Sequence, residues 1–169
     1  MRVVLYIGLG LAGLVALVAV VGLMLPKAHH ASREVTYAAP AADVFATIAD
    51  PSRYAEWRPD VSRVEVLPDD GRGLQFREHG RNGPILFRVE SVVAPSRMVT
   101  RIADPSLPFG GTWTYELRPT PSGGTSLRIT EDGEVRNPIF RFLSRFFFSP
   151  TATIEAYQTA LGKRLGARP

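Results

Sequence analysis

The stretch that decides the fold runs from Arg33 to Pro59 and reads REVTYAAPAADVFATIADPSRYAEWRP. Its first seven residues alternate in polarity, which predicts a half-buried strand over 33–39. Pro40 then begins a short helix, which is expected to end at Pro51 because the residue before a proline is pushed out of helical geometry. The buried face of this helix would carry Val44, Phe45 and Ile48.

Alternating runs separated by turn residues follow this stretch and predict an antiparallel meander with one wet face. The turn chemistry includes Asp69-Asp70-Gly71 and the strong hairpin signal Asn82-Gly83. The strand-like runs cover 61–67, 74–79, 85–93, 97–102, 112–118 and 126–134.

Towards its end the chain changes to helical spacing. Asn137 and Pro138 form a helix start for 139–148, a segment with five phenylalanines, and Ser149-Pro150 repeats the signal for a longer helix. The longer helix carries an apolar stripe that suits packing on a sheet: Ile154, Tyr157, Leu161 and Leu165. The order of elements predicts an α+β domain.

The residues from 33 to 59 resemble the opening of the START-like helix-grip superfamily, also called SRPBCC, which includes the polyketide cyclase/dehydrase group. The matching positions are Pro40, Val44, Phe45, Asp50, Trp57 and Pro59. Tyr115-Glu-Leu-Arg-Pro119, Gly124-Thr125-Ser-Leu127 and the terminal helix are similar to the closing pattern, so the resemblance covers 32–166. It implies a curved antiparallel sheet wrapped around a long C-terminal helix, with an apolar cavity that holds lipids, sterols, polyketides or other hydrophobic ligands in family members. Some members carry catalytic side chains in that cavity.

The N-terminus carries an apolar run, Val3–Leu25, in which the phenol of Tyr6 is the one ionisable side chain. About 20 apolar residues cross a bilayer, whereas the apolar part of a signal peptide usually has about 7–15. We therefore expect one transmembrane anchor with its flank at 1–30, followed by a START-like domain at 31–169. The short basic N-terminus favours an extracytoplasmic domain. Small residues every four positions would allow weak homodimerisation through the anchor: Gly8, Ala12 and Ala16.

Composition limits the function classes. The chain has no cysteine, a formal net charge of +4 and no block of like charges, so thiol chemistry is excluded and nucleic-acid binding gains little support. We find no nucleophile motif, phosphate loop or metal-ligand set in the sequence, and His29-His30 reads as a juxtamembrane flank. We expect no metal and no cofactor.

Alternation of side chains along the strands and the last helices predicts the cavity lining: Phe76, Phe87, Val89, Met98, Trp113, Tyr115, Ile129, Phe142 and Tyr157. Glu131 or Asp132 could enter the cavity, with Arg101 as its partner or as a holder of an anionic ligand group. His79 falls on the face opposite Phe76, which predicts a surface position rather than a catalytic one.

The leading functional prediction is a membrane-tethered protein that binds a hydrophobic, lipid-like molecule without catalysing a reaction. The alternative is a polyketide cyclase/dehydrase-type enzyme acting on an aromatic or polycyclic substrate, which requires ionisable groups converging on one pocket. A further alternative is a protein-interaction module whose cavity is filled by side chains. The phenylalanine-rich helix is expected to form core or a lid over the cavity in preference to direct lipid contact.

Overall fold

A computed structural model describes residues 2–68, 70–71, 73–81 and 83–166, so that Asp69 of the predicted turn and Asn82 of the predicted hairpin lie outside the described residues. The elements, in chain order, are α1 Arg2–Met24, β1 Ala28–Tyr37, α2 Ala41–Ala49, a 3-10 turn Pro51–Arg53, α3 Tyr54–Trp57, β2 Val61–Val66, β3 Gln75–Gly80, β4 Gly83–Val93, β5 Arg97–Ile102, β6 Phe109–Pro119, β7 Thr125–Val135, α4 Pro138–Phe147 and α5 Ala152–Arg164.

The strands form one curved antiparallel sheet in the order β1-β7-β6-β5-β4-β3-β2. Strands β2 to β7 follow one another as a meander, and β1 pairs with β7, with Val35 opposite Leu127. The last strand, β7, therefore lies beside the first strand, β1. The predicted α+β helix-grip fold is confirmed.

The core lies between the inner face of the sheet and α5. Ile154 and Leu161 of α5 and Leu127 and Ile129 of β7 are all fully buried. Leu165 is partly buried against the same cluster, so the predicted stripe of α5 is confirmed. A long apolar stripe on one helix thus fills the concave face of the sheet.

The segment from α2 to α3 closes one end of this core, as the opening stretch predicts. Val44 and Ile48 of α2 are fully buried. The Asp50 side chain accepts a hydrogen bond from the Ser52 amide at 3.2 Å, which starts the 3-10 turn. The hydroxyl of Tyr54 donates to the Ile48 carbonyl and fixes α3 against α2. These contacts place the rings of α3 beside the cavity described below.

Strand β1 begins at Ala28, earlier than the predicted strand start at Arg33. His29 and His30, which the sequence assigned to a juxtamembrane flank, therefore lie within the sheet, opposite Gly133 and Asp132. The amide of Val135 donates to the Lys27 carbonyl at 2.8 Å, so the segment that follows α1 is joined to the end of β7.

Helix α1 is, among the described residues, the one helix long and apolar enough to cross a membrane. It is exposed over 2–17, and α4 packs against its last turns. The prediction that α4 forms core or a lid is wrong, because most of its apolar side chains are exposed. No described residue of α4 lines the cavity between the sheet and α5.

Candidate ligand cavity

A cavity of about 450 Å³ lies between the inner face of the sheet, α3 and the first turns of α5. Its volume is within the range of small-molecule sites. The lining combines aromatic and aliphatic side chains with several ionisable ones. The lining residues are His29, Tyr54, Arg58, Asp60, Val61, Phe76, Glu78, Gly80, Arg81, Gly83, Ile85, Phe87, Thr100, Ile102, Phe109, Gly110, Trp113, Tyr115, Glu131, Thr153 and Tyr157.

Tyr157 of α5 is the centre of the aromatic wall. Its ring centroid lies 5.2 Å from that of Trp57, 5.7 Å from that of Tyr115 and 5.9 Å from that of Trp113. On the next strands of the inner face, Phe76 stacks on its register partner Phe87 at 5.4 Å. Edge-to-face and offset contacts of this kind favour a rigid wall over a collapsible one.

The cavity contains a charge pair. Arg58 follows α3, and its Nη1 donates to Glu78 Oε1 at 2.7 Å, with the two side chains 12% and 11% exposed. Nη2 of Arg58 donates to Asp60 Oδ2, also at 2.7 Å. The guanidinium lies 5.3 Å from the ring centroid of Tyr54 and 5.2 Å from that of Tyr157. Two carboxylates and two ring faces thus stabilise one buried cation.

Burial shifts the acid-base properties of these groups. It raises the pKa of Glu78 above its ordinary value, although the Arg58 guanidinium opposes that shift. Burial likewise raises the pKa of Tyr54, Tyr115 and Tyr157. These phenols stay protonated at neutral pH, so each of them can donate a hydrogen bond.

The hydroxyl of Tyr157 is buried and makes no hydrogen bond of good geometry within the described part of the chain, although it interacts with the hydroxyls of Tyr54 and Tyr115. A buried polar group without a partner costs free energy comparable to a lost hydrogen bond. Because Tyr157 lines the cavity, a polar group on a bound molecule would satisfy this hydroxyl. The cavity therefore combines an aromatic wall, paired charged groups and one hydroxyl that a ligand could satisfy.

One end of the cavity lies at the end of the sheet that is joined to α1. His29 at the start of β1, Phe109 at the start of β6 and Ile102 at the end of β5 line it there. The imidazole of His29 lies 3.2 Å from the carboxylate of Glu131. Among the described residues, no three His, Asp or Glu side chains converge as a metal site would need.

Six of the eleven predicted site residues line this cavity: Phe76, Phe87, Trp113, Tyr115, Glu131 and Tyr157. The others lie elsewhere. Met98 and Ile129 are buried in the core, and Val89 packs against it. Phe142 lies on α4, with its ring centroid 4.9 Å from that of Phe146. Alternation identified the inner face but not which part of that face is empty.

The predicted pairing of Arg101 with Glu131 or Asp132 is wrong. Arg101 forms an ion pair with Glu90 on the neighbouring strand, on the outer face of the sheet. Glu131 faces His29 at the cavity edge, and Asp132 pairs with His30. His79 lies outside the cavity, 3.7 Å from Glu65, which agrees with its predicted surface position.

Sequence reasoning missed the buried Arg58–Glu78 pair. Alternation along β3 places Glu78 on the same face as Phe76, and that was the available signal. No local pattern assigned Arg58 a partner, because the two residues meet only when α3 packs over β3. Tyr54 and Thr100 also line the cavity and were not predicted.

A broader depression of about 840 Å³ lies on the outer face of the same sheet end. Arg88, Arg101 and Asp132, which lie in register across β4, β5 and β7 through Thr112 of β6, contribute to its lining. It is open to solvent and lined by exposed charges, so we assign the ligand site to the smaller inner cavity.

Comparison with solved structures gives the same fold. A START superfamily protein from Mycobacterium smegmatis has a TM-score of 0.65 at 22% identity, covering 82% of this chain and 97% of that chain. The ZhuI aromatase/cyclase from Streptomyces sp. R1128 has a TM-score of 0.63 at 17% identity, covering 82% and 94%. Norcoclaurine synthase from Thalictrum flavum has a TM-score of 0.65 at 14% identity, covering 83% and 88%.

Among curated proteins, no sequence matches this chain. The family described as "Polyketide cyclase / dehydrase and lipid transport" matches residues 28–164, a range that begins at the first residue of β1 and ends at the last residue of α5. This match spans the sheet, the cavity and the C-terminal helix, and the chain therefore belongs to the polyketide cyclase/dehydrase and lipid transport family.

Proposed function

We propose that this protein binds a small hydrophobic molecule with one polar group in the inner cavity, and that α1 holds the cavity at a membrane. The observation that carries the proposal is the buried hydroxyl of Tyr157, which makes no hydrogen bond of good geometry and lies in the aromatic wall of a cavity of about 450 Å³. Apolar walls favour a hydrophobic body, and the hydroxyl favours a hydrogen-bonding group at one end of it.

The position of the cavity supports a ligand that comes from the membrane. One end of the cavity lies at the end of the sheet that is joined to α1, so a lipid-like molecule from the bilayer would have a short path to the cavity. Tethering raises the effective concentration of such a ligand at the cavity. Two further points about α1 stay predictions: the side of the membrane on which the domain lies, and weak dimerisation through Gly8, Ala12 and Ala16.

Native mass spectrometry of the full chain, released from nanodiscs, tests ligand binding. We expect a small molecule to remain bound to the wild-type protein. The Ile85→Trp variant places a larger side chain in the cavity, whereas Leu86→Trp, the matched control, adds the same side chain at the neighbouring position of β4, which does not line the cavity. Loss of the bound mass in Ile85→Trp alone supports the proposal, and a wild-type protein without any bound small molecule contradicts it.

An enzymatic function is the second candidate, and a specific observation favours it. The enzyme prediction required ionisable groups converging on one pocket, and Arg58, Glu78 and Tyr157 do so. A carboxyl with a raised pKa suits proton transfer to or from a bound substrate. The solved structures with this fold include an aromatase/cyclase and a norcoclaurine synthase, so the fold is compatible with an enzymatic function.

The Glu78→Gln variant separates the two candidates. If the protein only binds its ligand, the molecule bound to the wild type and the molecule bound to Glu78→Gln have the same mass. If Glu78 transfers a proton during a reaction, the variant retains substrate and the wild type holds product or is empty, so the two bound masses differ. A filled-cavity interaction module gains no support from a cavity of about 450 Å³.

A further inference from the structure

Helix α4 presents one apolar face to the outside. At helical spacing, the side chains of 139, 140, 143, 146 and 147 share this face, and all five are exposed. Phe147 is 70% exposed, and Phe148, which follows the helix, is 66% exposed. An apolar patch of this kind on a helix that no described element covers marks an interaction surface. We call the residues 139, 140, 143 and 146–148 the aromatic face.

The opposite face of α4 holds the end of α1. Arg141 is 4% exposed, and its Nη1 donates to the carbonyls of Gly22 at 2.9 Å and Leu25 at 3.1 Å. Its Nε and Nη2 donate to the carbonyls of Val135 and Arg136, each at 3.0 Å. A cation at the last carbonyls of a helix satisfies groups that have no partner within the helix. Arg141 thus fixes α4 to α1 and to the end of β7.

Close backbone packing adds to this attachment. A Cβ atom on Gly22 would lie 1.9 Å from the Pro138 carbonyl oxygen, so the first turn of α4 rests directly on α1. Within the described part of α1, the residues that are not exposed are Val18, Ala19, Val21 and Gly22. Helix α4 therefore lies beside the last two turns of α1.

This geometry sets the depth of the aromatic face. A helix of 23 residues is about 35 Å long, slightly more than the hydrocarbon core of about 30 Å. When α1 spans the bilayer, its last turn therefore lies where hydrocarbon meets headgroups, and the turn before it lies just within the hydrocarbon. Interfacial helices bury their apolar face at this level and keep cationic groups on the other face.

We propose that the aromatic face of α4 lies in the interfacial layer of the leaflet from which α1 emerges, so that α1 and α4 together fix how the cavity faces the membrane. This inference rests on the tether of the proposed function. The occupant is lipid, because the aromatic face is continuous with the exposed apolar surface of α1, which a bilayer covers at the same time. The sequence of α4 contains no acidic residue, and Arg145 is exposed beside the aromatic face, which suits phosphate headgroups.

Depth-dependent fluorescence quenching in nanodiscs tests the proposal on the full chain. Because the chain has no cysteine, single labels can be attached at Phe147→Cys on α4, at Leu14→Cys within α1 and at Ser122→Cys in the turn before β7. Ser122 lies at the other end of an 11-residue strand, about 35 Å from α4. The quenchers are lipids with a nitroxide near the top or near the end of the acyl chain, and aqueous iodide.

We expect the label at Phe147→Cys to be quenched about twofold more by the shallow nitroxide than by the deep one. The label at Leu14→Cys should prefer the deep nitroxide, and that at Ser122→Cys should respond to iodide alone. A deep Leu14→Cys label with a Phe147→Cys label open to iodide overturns the proposal and leaves the tether in place. If neither lipid nitroxide nor iodide quenches the label at Phe147→Cys, a second copy of the chain covers the aromatic face, and the proposal is overturned. A Leu14→Cys label in water overturns the tether itself.

Discussion

Arg58 and Glu78 form an ion pair in the lining of the cavity, with Nη1 2.7 Å from Oε1 and both side chains largely buried. Arg58 reaches Glu78 from the segment after α3, so the pair joins the helical opening stretch to β3. The guanidinium also contacts the rings of Tyr54 and Tyr157. One cation therefore couples the packing of the fold to the polar end of the site.

Replacing Arg58 should destabilise the protein strongly. Arg58→Met leaves the Glu78 carboxylate buried without its counter-ion, and losing one partner of a buried pair costs about 3–5 kcal/mol. The loss should shrink as the pH is lowered, because the unpaired Glu78 then takes up a proton in the folded state. Urea unfolding of the full chain in detergent, followed by tryptophan fluorescence, measures both effects.

Arg77→Met is the matched control for this variant. Arg77 precedes Glu78 on β3, and its Nη1 lies 3.1 Å from Glu65 on the exposed face of the sheet. Exposed ion pairs contribute about 0–1 kcal/mol to stability, so the control should lose little stability at neutral pH or at acidic pH. Equal losses for the two variants would contradict a special role of the buried pair.

Glu78 should make stability depend on pH in a definite direction. Its folded pKa is raised above the ordinary value of 4.5, chiefly by burial. The stability that protonated Glu78 contributes is therefore fully present below 4.5 and is lost as the pH rises through the raised pKa. Relative to Glu78→Gln, which stays neutral, the wild type should become less stable over that interval. Parallel stability curves for the two proteins would show that the carboxyl has an unshifted pKa.

Tyr157→Phe should weaken ligand binding without weakening the fold. The hydroxyl makes no hydrogen bond of good geometry within the described residues, so its removal should weaken only its interactions with the hydroxyls of Tyr54 and Tyr115, and the ring contacts remain. A lost hydrogen bond to the ligand is worth about 1 kcal/mol, or about fivefold in Kd. The measurement is the fraction of protein that carries the ligand in native mass spectra.

Tyr37→Phe provides the opposite pattern. The buried hydroxyl of Tyr37 donates to the Gln158 carbonyl at 2.8 Å and does not line the cavity. This variant should lose about 1 kcal/mol of unfolding free energy and keep its ligand. A ligand lost from both variants, or from neither, would remove Tyr157 from the site.

The fold was predictable because its decisive signals are local. The helix start at Asn137-Pro138 appears in the structure as a side-chain cap that accepts from the amides of Ile139 and Phe140, and the stripe of α5 is buried as its spacing requires. The strand alternation also assigned Phe76, Phe87 and Trp113 to the inner face correctly. Periodicity identifies the face on which a side chain lies whenever one face of an element is buried.

The site was predictable only in part, because contacts between distant segments carry no local pattern. Arg58 and Glu78 meet through the packing of α3 on β3, and Arg141 finds the carbonyls of α1 across more than 100 residues of chain. The phenylalanines of α4 resemble core residues in composition. Their exposure follows from Arg141, whose buried contacts turn the other face of α4 outwards.

The contact between Gly22 and Pro138 should control the attachment of α4 to α1. In Gly22→Ala, the new methyl group would meet the backbone of Pro138, which cannot move aside as a flexible side chain would. We expect α4 to shift away from α1. Nitroxides at Leu17→Cys and Phe147→Cys should then show a longer and broader distance distribution in pulsed electron paramagnetic resonance than they do with Gly22 present.

Gly13→Ala is the matched control on the same helix, because a Cβ atom on Gly13 has no atom within 4 Å. It makes the same chemical change and raises helix propensity equally, so it isolates the effect of the contact with Pro138. The distance distribution should stay unchanged in this variant. If Gly22→Ala also leaves it unchanged, α4 is held by Arg141 alone, and the close approach at Gly22 contributes nothing to the orientation of the cavity.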